Sequence, residues 1–258
     1  MAKRKLIPTL QSEQKFRIKN SIYHKLQVDF AYNSNHIEGS RLSHEQTASI
    51  FDTKTISGDT AAIDDILETK NHFRCFDMML DHYTEPLTEE FIKSLHNQLK
   101  SDTFSSEAPD AVIGDYKKYP NFISNGLSDM KTTHPKQVQS EMRKLLKDYN
   151  SKKQHSFDEI LDFHVRFEKI HPFYDGNGRT GRLIMFKECL NNNIVPFIIT
   201  DNYKNYYYNG LKEWQDGGEK GYLRDTCGLM QDHMKQIMDY FEIDYSEDLT
   251  DVRKSPLS

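Results

Sequence analysis

The sequence has few cysteines, no long apolar run and no excess of one sign of charge. Its three cysteines, Cys75, Cys189 and Cys227, are far apart and form no Cys-x-x-Cys pair. This argues against a disulfide framework or a zinc site and favours a reducing cytoplasm. Leu6 and Ile7 near the N-terminus are too short a run for a signal peptide, and no stretch approaches the length of a membrane-spanning helix. We therefore expect a cytoplasmic protein without a membrane segment.

The charge balance gives no electrostatic reason to expect nucleic acid as the main partner. The chain has 34 Lys and Arg against 39 Asp and Glu, interspersed, for a formal net charge of -5. Its 258 residues are enough for one large domain, or one domain with a small appendage, with a sizeable core. With 15 Phe and 14 Tyr, low mean hydropathy does not indicate disorder.

Helical spacing dominates the apolar pattern. Helix starts are indicated at Ser43, which is followed three residues later by Gln46, and at Thr88. An N-terminal stripe consists of Phe16, Ile22, Tyr23, Leu26 and Phe30. A hairpin is expected at Phe122–Leu127, because this segment contains Asn-Gly. Residues 194–200 form a short apolar run suited to an extended conformation, and the polar residues 246–258 are expected to be a loose tail. The pattern predicts an all-α fold with one small β-hairpin.

The most informative segment is the run His171-Pro-Phe-Tyr-Asp-Gly-Asn-Gly-Arg-Thr-Gly-Arg182, between two segments with amphipathic helical spacing. Glycines let a backbone approach a ligand closely, and a helix that starts near Gly178 offers free N–H groups to an anion. Arg179 and Arg182 in its first turn oppose the helix dipole, which makes sense if they bind a polyanion such as triphosphate. The alternative is a glycine-rich loop with solvated arginines. We favour phosphate binding.

One competing interpretation is a dinucleotide-binding loop. Gly176 to Gly181 fits Gly-x-Gly-x-x-Gly, and Asp201 follows at a suitable distance for a ribose contact. That fingerprint must follow a strand, however, and the preceding residues 157–170 have helical spacing.

Two other phosphate- or ion-binding patterns also match only in part. A P-loop would need Lys and Ser or Thr where Arg182 and Leu183 stand. A calcium loop that begins at Asp175 would need oxygen ligands at Arg179 and Phe186. We rank both, and the dinucleotide loop, below a phosphate site between two helices.

His171 and Asp175 supply the reactive groups of this run. A histidine can accept a proton near neutral pH, and a carboxylate beside bound phosphates is a natural Mg²⁺ ligand. We interpret the other histidines, such as His96, His155 and His164, as packing or surface residues.

The run from His171 to Arg182 resembles the signature of the Fic family, His-x-Phe-x-[Asp/Glu]-Gly-Asn-Gly-Arg-x-x-Arg, and matches every fixed position. Gly114-Asp-Tyr116 and the hairpin Phe122–Met130 stand where that family carries its flap. Tyr207-Tyr208-x-Gly-Leu211 resembles the family's helix beside the nucleobase. The resemblance covers about residues 30–215.

The resemblance implies the Fic fold, a helical bundle with a small β-hairpin flap next to the active-site loop. It suggests three regions: an N-terminal helical region at 1–55, a Fic domain at 56–243 and a polar tail at 244–258.

The resemblance also implies a protein adenylyltransferase. ATP would be the co-substrate, Mg²⁺ the cofactor, and the acceptor a Tyr, Thr or Ser hydroxyl of a target protein or of the chain itself. His171 would be the general base, Phe173 the anchor of the loop and Asp175 the Mg²⁺ ligand. The side chain and N–H of Asn177 would join an anion hole. The implied ATP-binding residues are Gly176, Asn177, Gly178, Arg179, Arg182, Tyr207, Tyr208 and Leu211. The implied target-docking residues of the flap are Phe122, Ile123 and Leu127, which would hold the target as an added strand.

A second resemblance lies at Ser34-Asn-His-Ile-Glu38-Gly39, which is similar to the family's inhibitory motif, [Ser/Thr]-x-x-x-Glu-[Gly/Asn], carried on an N-terminal helix at about 22–39. Ser34 and Glu38 share a helix face, and Gly39 suits a C-terminal cap. The helix dipole disfavours a carboxylate there, so Glu38 needs a cation, and Arg182 is the expected one. The pair would withhold Arg182 from the γ-phosphate. The alternative is a solvated glutamate at a frayed helix end.

Other functions remain open from sequence. Some relatives use the inhibitory glutamate to remove AMP, and others transfer a different nucleotide or phosphocholine. A module that binds nucleotide or phosphate without turnover is an alternative of another class, and a nicotinamide dehydrogenase is a remote third. We favour the self-inhibited transferase.

Overall fold

The chain folds into a bundle of α-helices with two small two-stranded sheets, as described by a computed structural model for residues 4–56, 62–103, 112–124 and 129–245. The helices are α1 (Leu6–Phe16), α2 (Ile22–Ile37), α3 (His44–Thr53), α4 (Ile63–Asp81), α5 (Glu89–Lys100), α6 (Pro135–Tyr149), α7 (Phe157–Ile170), α8 (Asn177–Asn191), α9 (Lys204–Gln215) and α10 (Gly221–Tyr240). The strands are β1 (Arg4–Lys5), β2 (Phe122–Ser124), β3 (Asp129–Lys131) and β4 (Ile243–Asp244). The predicted all-α class is confirmed.

Helix starts follow the predicted capping chemistry. Ser43 and Gln46 form a reciprocal capping box at α3, and Thr88 accepts from the N–H of Phe91 at α5. Each of these side chains satisfies N–H groups that the first helical turn leaves without a partner.

Four of the five residues of the predicted N-terminal apolar stripe are buried on one helix, and the fifth, Phe16, is not. The chain leaves α1 at Arg17, whose φ of 48° is left-handed, and re-enters a helix at Ser21. Phe16 therefore lies at the end of α1 with 68% of its surface exposed, while Ile22, Tyr23, Leu26 and Phe30 are buried on α2. The parallel pairing of β1 with β4 was also missed, since strands of two residues carry no periodic signal.

Helix α8 is buried on every side from Asn177 to Leu190, although the sequence suggested an amphipathic helix. Its polar residues are accommodated by partners. Lys187 donates to the carbonyl of Glu85 at 2.6 Å and pairs with Glu188 at 2.8 Å, and Tyr149 also donates to Glu188. Helices α2, α4, α5 and α7 contact α8, so the segment that begins at Asn177 lies at the centre of the molecule.

The predicted hairpin is present as the antiparallel pair β2 and β3, with Phe122 opposite Lys131. Its turn, with Leu127, lies outside the described residues, as do residues 246–258 of the expected tail. The apolar run 194–200 is largely buried and forms no regular strand.

The cysteines are free and buried, as expected. Among the described residues, no helix combines the length and the apolar character that crossing a membrane requires.

Candidate active site

The signature run forms a short loop between two helices. Helix α7 ends at Ile170, His171 follows as its C-cap with a left-handed φ of 50°, and α8 begins after Gly176. Phe173 is fully buried, as expected for an anchor, and stacks on His96 with ring centroids 3.8 Å apart. His96 also bonds the carbonyl of Asp175 at 3.0 Å. His96 is a packing residue, as predicted, and the residues that it packs against belong to the signature loop.

The Asn177 side chain has a different partner from the expected anion. Its Oδ1 accepts from the Phe173 N–H at 2.8 Å, and its Nδ2 donates to the Phe173 carbonyl at 3.0 Å. The amide thus braces the loop, because it matches both backbone groups of one residue. Of the two Asn177 groups expected in the anion hole, the side chain is therefore already engaged, and the backbone N–H is the one that can contribute.

His171 is a neutral, partly buried imidazole. Burial, followed by the nearby charge of Lys117, lowers its pKa to about 4. Its Nδ1 is buried and has no hydrogen-bond partner among the residues described. At neutral pH the ring is therefore unprotonated, as a proton acceptor must be.

Asp175 lies in a network of four charges. Its carboxylate pairs with Lys100 at 2.6 Å and with Arg179 at 3.4 Å, and Glu68 pairs with both cations. Burial would raise the pKa of Asp175, but Arg179 and Lys100 outweigh it and hold that pKa well below its usual range. Arg179 and Lys100 are almost fully buried, whereas 45% of the Asp175 side chain is exposed. Solvated arginines, the alternative considered from sequence, are wrong here.

The residues present fit a divalent cation at Asp175. Within the described ranges, no cluster of three or more histidine, cysteine or acidic side chains is arranged to hold a metal. Mg²⁺ is commonly bound through one or two carboxylates together with phosphate oxygens and waters. The exposed edge of the Asp175 carboxylate suits that mode, with Lys100 as a competing cation.

Arg182 is paired with the N-terminal helix. Its Nη2 donates to Glu38 Oε1 at 2.7 Å and to the Ser34 carbonyl at 2.9 Å, and its Nε donates to Ser34 Oγ at 3.0 Å. Glu38 caps the C-terminus of α2, and Gly39 follows with a φ of 100°. The predicted contact between Glu38 and Arg182 is present, so Glu38 is not simply a solvated residue.

The Glu38 carboxylate lies directly over the start of α8. A Cβ at Gly178 would collide with Glu38 Oε1 and would come within 2.9 Å of Arg182 Nη1. Nη1 of Arg182 is buried and has no partner in the described part of the chain. The guanidinium thus retains one unused donor beside Gly178, where an anion at the helix N-terminus would lie.

Of the three residues expected near the nucleobase, Tyr207 lies beside Arg182. Tyr207 is buried with its ring 6.0 Å from the Arg182 guanidinium carbon, and its hydroxyl is 2.6 Å from His164 Nε2. Tyr208 donates to the Ile37 carbonyl at 3.3 Å, and Leu211 is buried. His164 therefore supports a site residue, although it was assigned only to packing or the surface.

A buried carboxyl lies beneath the loop. Burial raises the pKa of Glu168 to about 8, although Arg182 opposes the shift. Its Oε1 has no described partner, and a Cβ at Gly181 would come within 2.6 Å of it. Glu168 is therefore largely protonated at neutral pH and leaves the Arg182 guanidinium to Glu38.

Sequence reasoning missed Glu68, Lys100, Lys117 and Asn121. Each reaches the loop from a distant element, and none belongs to a recognisable motif. Of the predicted flap residues, Phe122 is 60% exposed, Ile123 is described only as part of β2, and Leu127 is outside the described residues.

Part of the chain matches a known protein family. A model of the Fic/DOC family matches residues 86–189. The protein adenylyltransferase Fic of Nematostella vectensis is 25% identical over 199 residues, which are 75% of this chain and 44% of that protein. The protein of the same name from Drosophila yakuba is 25% identical over 203 residues, which are 75% of this chain and 38% of that protein. The chain thus spans less than half the length of these curated relatives.

The fold is also that of a solved structure. A Fic-domain-containing signalling protein from Bacteroides thetaiotaomicron matches with a TM-score of 0.74 at 23% identity, over 93% of this chain and 98% of that one. At this identity the likeness concerns the fold.

Proposed function

We propose that this chain, which carries a Fic/DOC-family domain at residues 86–189, is a protein adenylyltransferase that moves AMP from ATP to a protein hydroxyl and is inhibited by its own α2 helix. The observation that carries the proposal is the position of a neutral, partly buried imidazole at His171, one short loop before the N-terminus of α8, whose first turn carries Arg179 and Arg182. The names of the curated relatives support the same activity.

The chain's own residues would act by positioning and charge stabilisation. His171 would accept the proton of the attacking hydroxyl. Backbone N–H groups of Gly176, Asn177 and Gly178 would bind phosphate oxygens at the start of α8. Arg182 would hold the γ-phosphate. Arg179 was expected to help orient the phosphates; because it is buried between Glu68 and Asp175, we assign it instead to orienting the loop.

Asp175 would hold Mg²⁺ through the exposed edge of its carboxylate. When bound, the ion would neutralise charge on the α- and β-phosphates. The hydroxyl oxygen would then form a bond to the α-phosphorus as the bond to the pyrophosphate oxygen breaks. The proton goes to His171 and pyrophosphate leaves.

Inhibition would arise from competition for one guanidinium. As long as Glu38 and Ser34 occupy Nη2 and Nε of Arg182, the γ-phosphate loses its main cationic ligand. ATP would bind with its phosphates out of line for attack.

The test is intact-protein mass spectrometry of the wild type and of Glu38→Gly after incubation with ATP and Mg²⁺. We expect an adduct of one or more AMP groups on Glu38→Gly, much less on wild type, and none on Glu38→Gly/His171→Ala. An adduct of different mass would identify another donor group. Tight ATP binding by Glu38→Gly without any adduct, on itself or on proteins of a lysate, would favour a binding module.

Removal of AMP is the second candidate, and the placement of Glu38 favours it. Its carboxylate is partly exposed and lies beside Gly178 at the N-terminus of α8, where a bound phosphate would lie. A carboxylate there could activate water. Incubation of an AMP-modified protein with wild type and Glu38→Gly decides the matter: release by wild type alone indicates removal of AMP.

A further inference from the structure

The backbone carbonyls in the first half of the signature loop accept hydrogen bonds from residues outside the signature, and the Phe173 carbonyl accepts a second one from Asn177 Nδ2 on α8. Helix α7 ends at Ile170, so the carbonyls that follow need donors from elsewhere. Lys117 supplies two of them, from its N–H to Pro172 at 2.9 Å and from Nζ to Ile170 at 3.5 Å. Asn121 Nδ2 supplies the others, to Phe173 at 3.1 Å and Tyr174 at 3.2 Å. Lys117 and Asn121, which lie outside the signature, thus hold the carbonyls of Ile170, Pro172, Phe173 and Tyr174.

These two donors are fixed by the base of the flap. Asn121 immediately precedes β2, and Thr132 immediately follows β3. Lys117 Nζ donates to Asn121 Oδ1 at 2.7 Å and to Thr132 Oγ1 at 2.6 Å. The Thr132 hydroxyl in turn reaches the backbone oxygen of Asn121 at 2.9 Å and its Oδ1 at 2.7 Å. We call Lys117, Asn121 and Thr132 the flap clamp, since they join both ends of the hairpin to the loop.

Lys117 is an unusual choice for a structural residue. It is only 3% exposed, and the acceptors described for its ammonium are all uncharged. Burial lowers its pKa to about 8. An ammonium without a carboxylate partner is costly to bury, so the hydrogen bonds from Lys117 Nζ to Asn121, Thr132 and Ile170 have to offset that cost.

The charge of Lys117 acts on His171, since the clamp contacts the residues on both sides of it. Burial and then Lys117 lower the pKa of His171, whereas Glu38 on α2 and Asp175 in the loop raise it. Glu168 on α7 is largely neutral. Burial is thus the main cause of the low pKa of His171, and Lys117 is the cation that adds to it against the two carboxylates.

We propose that the flap clamp positions His171 relative to a target segment docked on the hairpin. The clamp would thereby fix the distance between the acceptor hydroxyl and the imidazole that takes its proton. This rests on the proposed function. The clamp residues are positioning residues: they touch the loop and the flap, while ATP would be bound on the opposite side by Arg182 and Asp175. Loosening the clamp should lower the rate of transfer and leave ATP affinity unchanged.

The test uses Asn121→Ala in the Glu38→Gly background. We expect kcat for AMP transfer to fall about tenfold or more, with an unchanged KM for ATP, and faster hydrogen exchange at residues 173–176. The matched control is Asn150→Ala, which removes an asparagine that donates to the Leu87 carbonyl at 2.8 Å far from the loop. Equal loss of kcat in the two variants, or unchanged exchange at 173–176, would overturn the proposal.

Three further variants cover the case in which Asn121→Ala folds poorly. Thr132→Ser keeps the hydroxyl and should behave as the parent, whereas Thr132→Val should lose kcat and gain exchange. Lys117→Met should move the acid limb of the pH–rate profile upward, because loss of a cation raises the pKa of His171. An unmoved limb would contradict the role of Lys117. If Glu38→Gly transfers no AMP at all, the proposed function fails, and hydrogen exchange alone still decides whether the clamp holds the loop.

Discussion

The two sides of the signature loop are held by different kinds of contact. On the α2 and α4 side, charges meet charges: Glu38 with Arg182, and Glu68 with Lys100 and Arg179. On the flap side, the contacts of Lys117 and Asn121 run to neutral oxygens. Phosphates and a metal ion can replace the first kind of partner, since they carry the same charges. Phosphates and a metal ion do not compete for the neutral hydrogen bonds on the flap side. The comparison suggests that one side of the loop exchanges partners on binding ATP while the other keeps the loop in place.

The largest expected effect on activity is that of replacing His171, which lies in the loop between the two sides. His171→Ala in the Glu38→Gly background should reduce AMP transfer about 10²–10⁴-fold, the usual contribution of a general base. ATP binding should be unchanged, because no phosphate ligand is lost. A titration by calorimetry and a labelling time course with α-labelled ATP measure the two quantities. Near-parental labelling would move the base to another residue.

Glu168 is a second carboxyl near Arg182, and it stays protonated at neutral pH. A carboxyl whose folded pKa is raised to about 8 stabilises the fold fully below the unfolded pKa, and this contribution is lost as pH rises through the folded pKa. Between pH 5 and 7.5, the unfolding free energy of wild type should therefore fall by up to about 1.4 kcal/mol per pH unit relative to Glu168→Gln. Urea unfolding at several pH values checks this. Parallel curves for the two proteins would show that Glu168 is ionised when folded.

Lys100 tests whether the charged side exchanges partners. Lys100→Met keeps most of the stem and removes the cation that competes at Asp175. We expect about tenfold tighter Mn²⁺ binding to the ADP-saturated protein, since an adjacent positive charge is lost. Electron paramagnetic resonance titration measures this, with Lys93→Met, elsewhere on α5, as the control. Weaker Mn²⁺ binding to Lys100→Met would mean that Lys100 orients Asp175 for the metal.

The smallest effect is expected at Ser34. Ser34→Ala removes the hydroxyl contact to Arg182 Nε but leaves the backbone carbonyl and Glu38 in place. The loss of one hydrogen bond, about 1 kcal/mol, should raise self-labelling about fivefold, well below the rise for Glu38→Gly. A rise as large as that of Glu38→Gly would assign inhibition to Ser34 rather than to the ion pair.

The charged side was largely predictable from sequence, and the flap side was not. The signature run, the four-residue spacing of Ser34 and Glu38, and the need of a C-terminal carboxylate for a cation together indicated the contact with Arg182. Helix starts at Ser43 and Thr88 followed from local capping chemistry.

The contacts that were missed join residues far apart in the chain. Glu68 meets Arg179 across 111 positions, and Asn121 meets Phe173 across 52. A helix pattern tells which face is apolar, but it does not reveal which polar residue on a distant segment satisfies a given carbonyl. The partner of the Asn177 amide was missed for a different reason: Phe173 is only four residues away, but the bond depends on the closed shape of the loop.

The central claim is that Glu38 withholds Arg182 from the γ-phosphate. Isothermal titration calorimetry of ATP and of ADP, each onto wild type and Glu38→Gly, measures this through the preference for the third phosphate. We predict equal ATP and ADP affinities for wild type and an ATP preference of about tenfold for Glu38→Gly, the value of one charge-assisted contact. The same ATP-to-ADP ratio in both proteins would contradict the account.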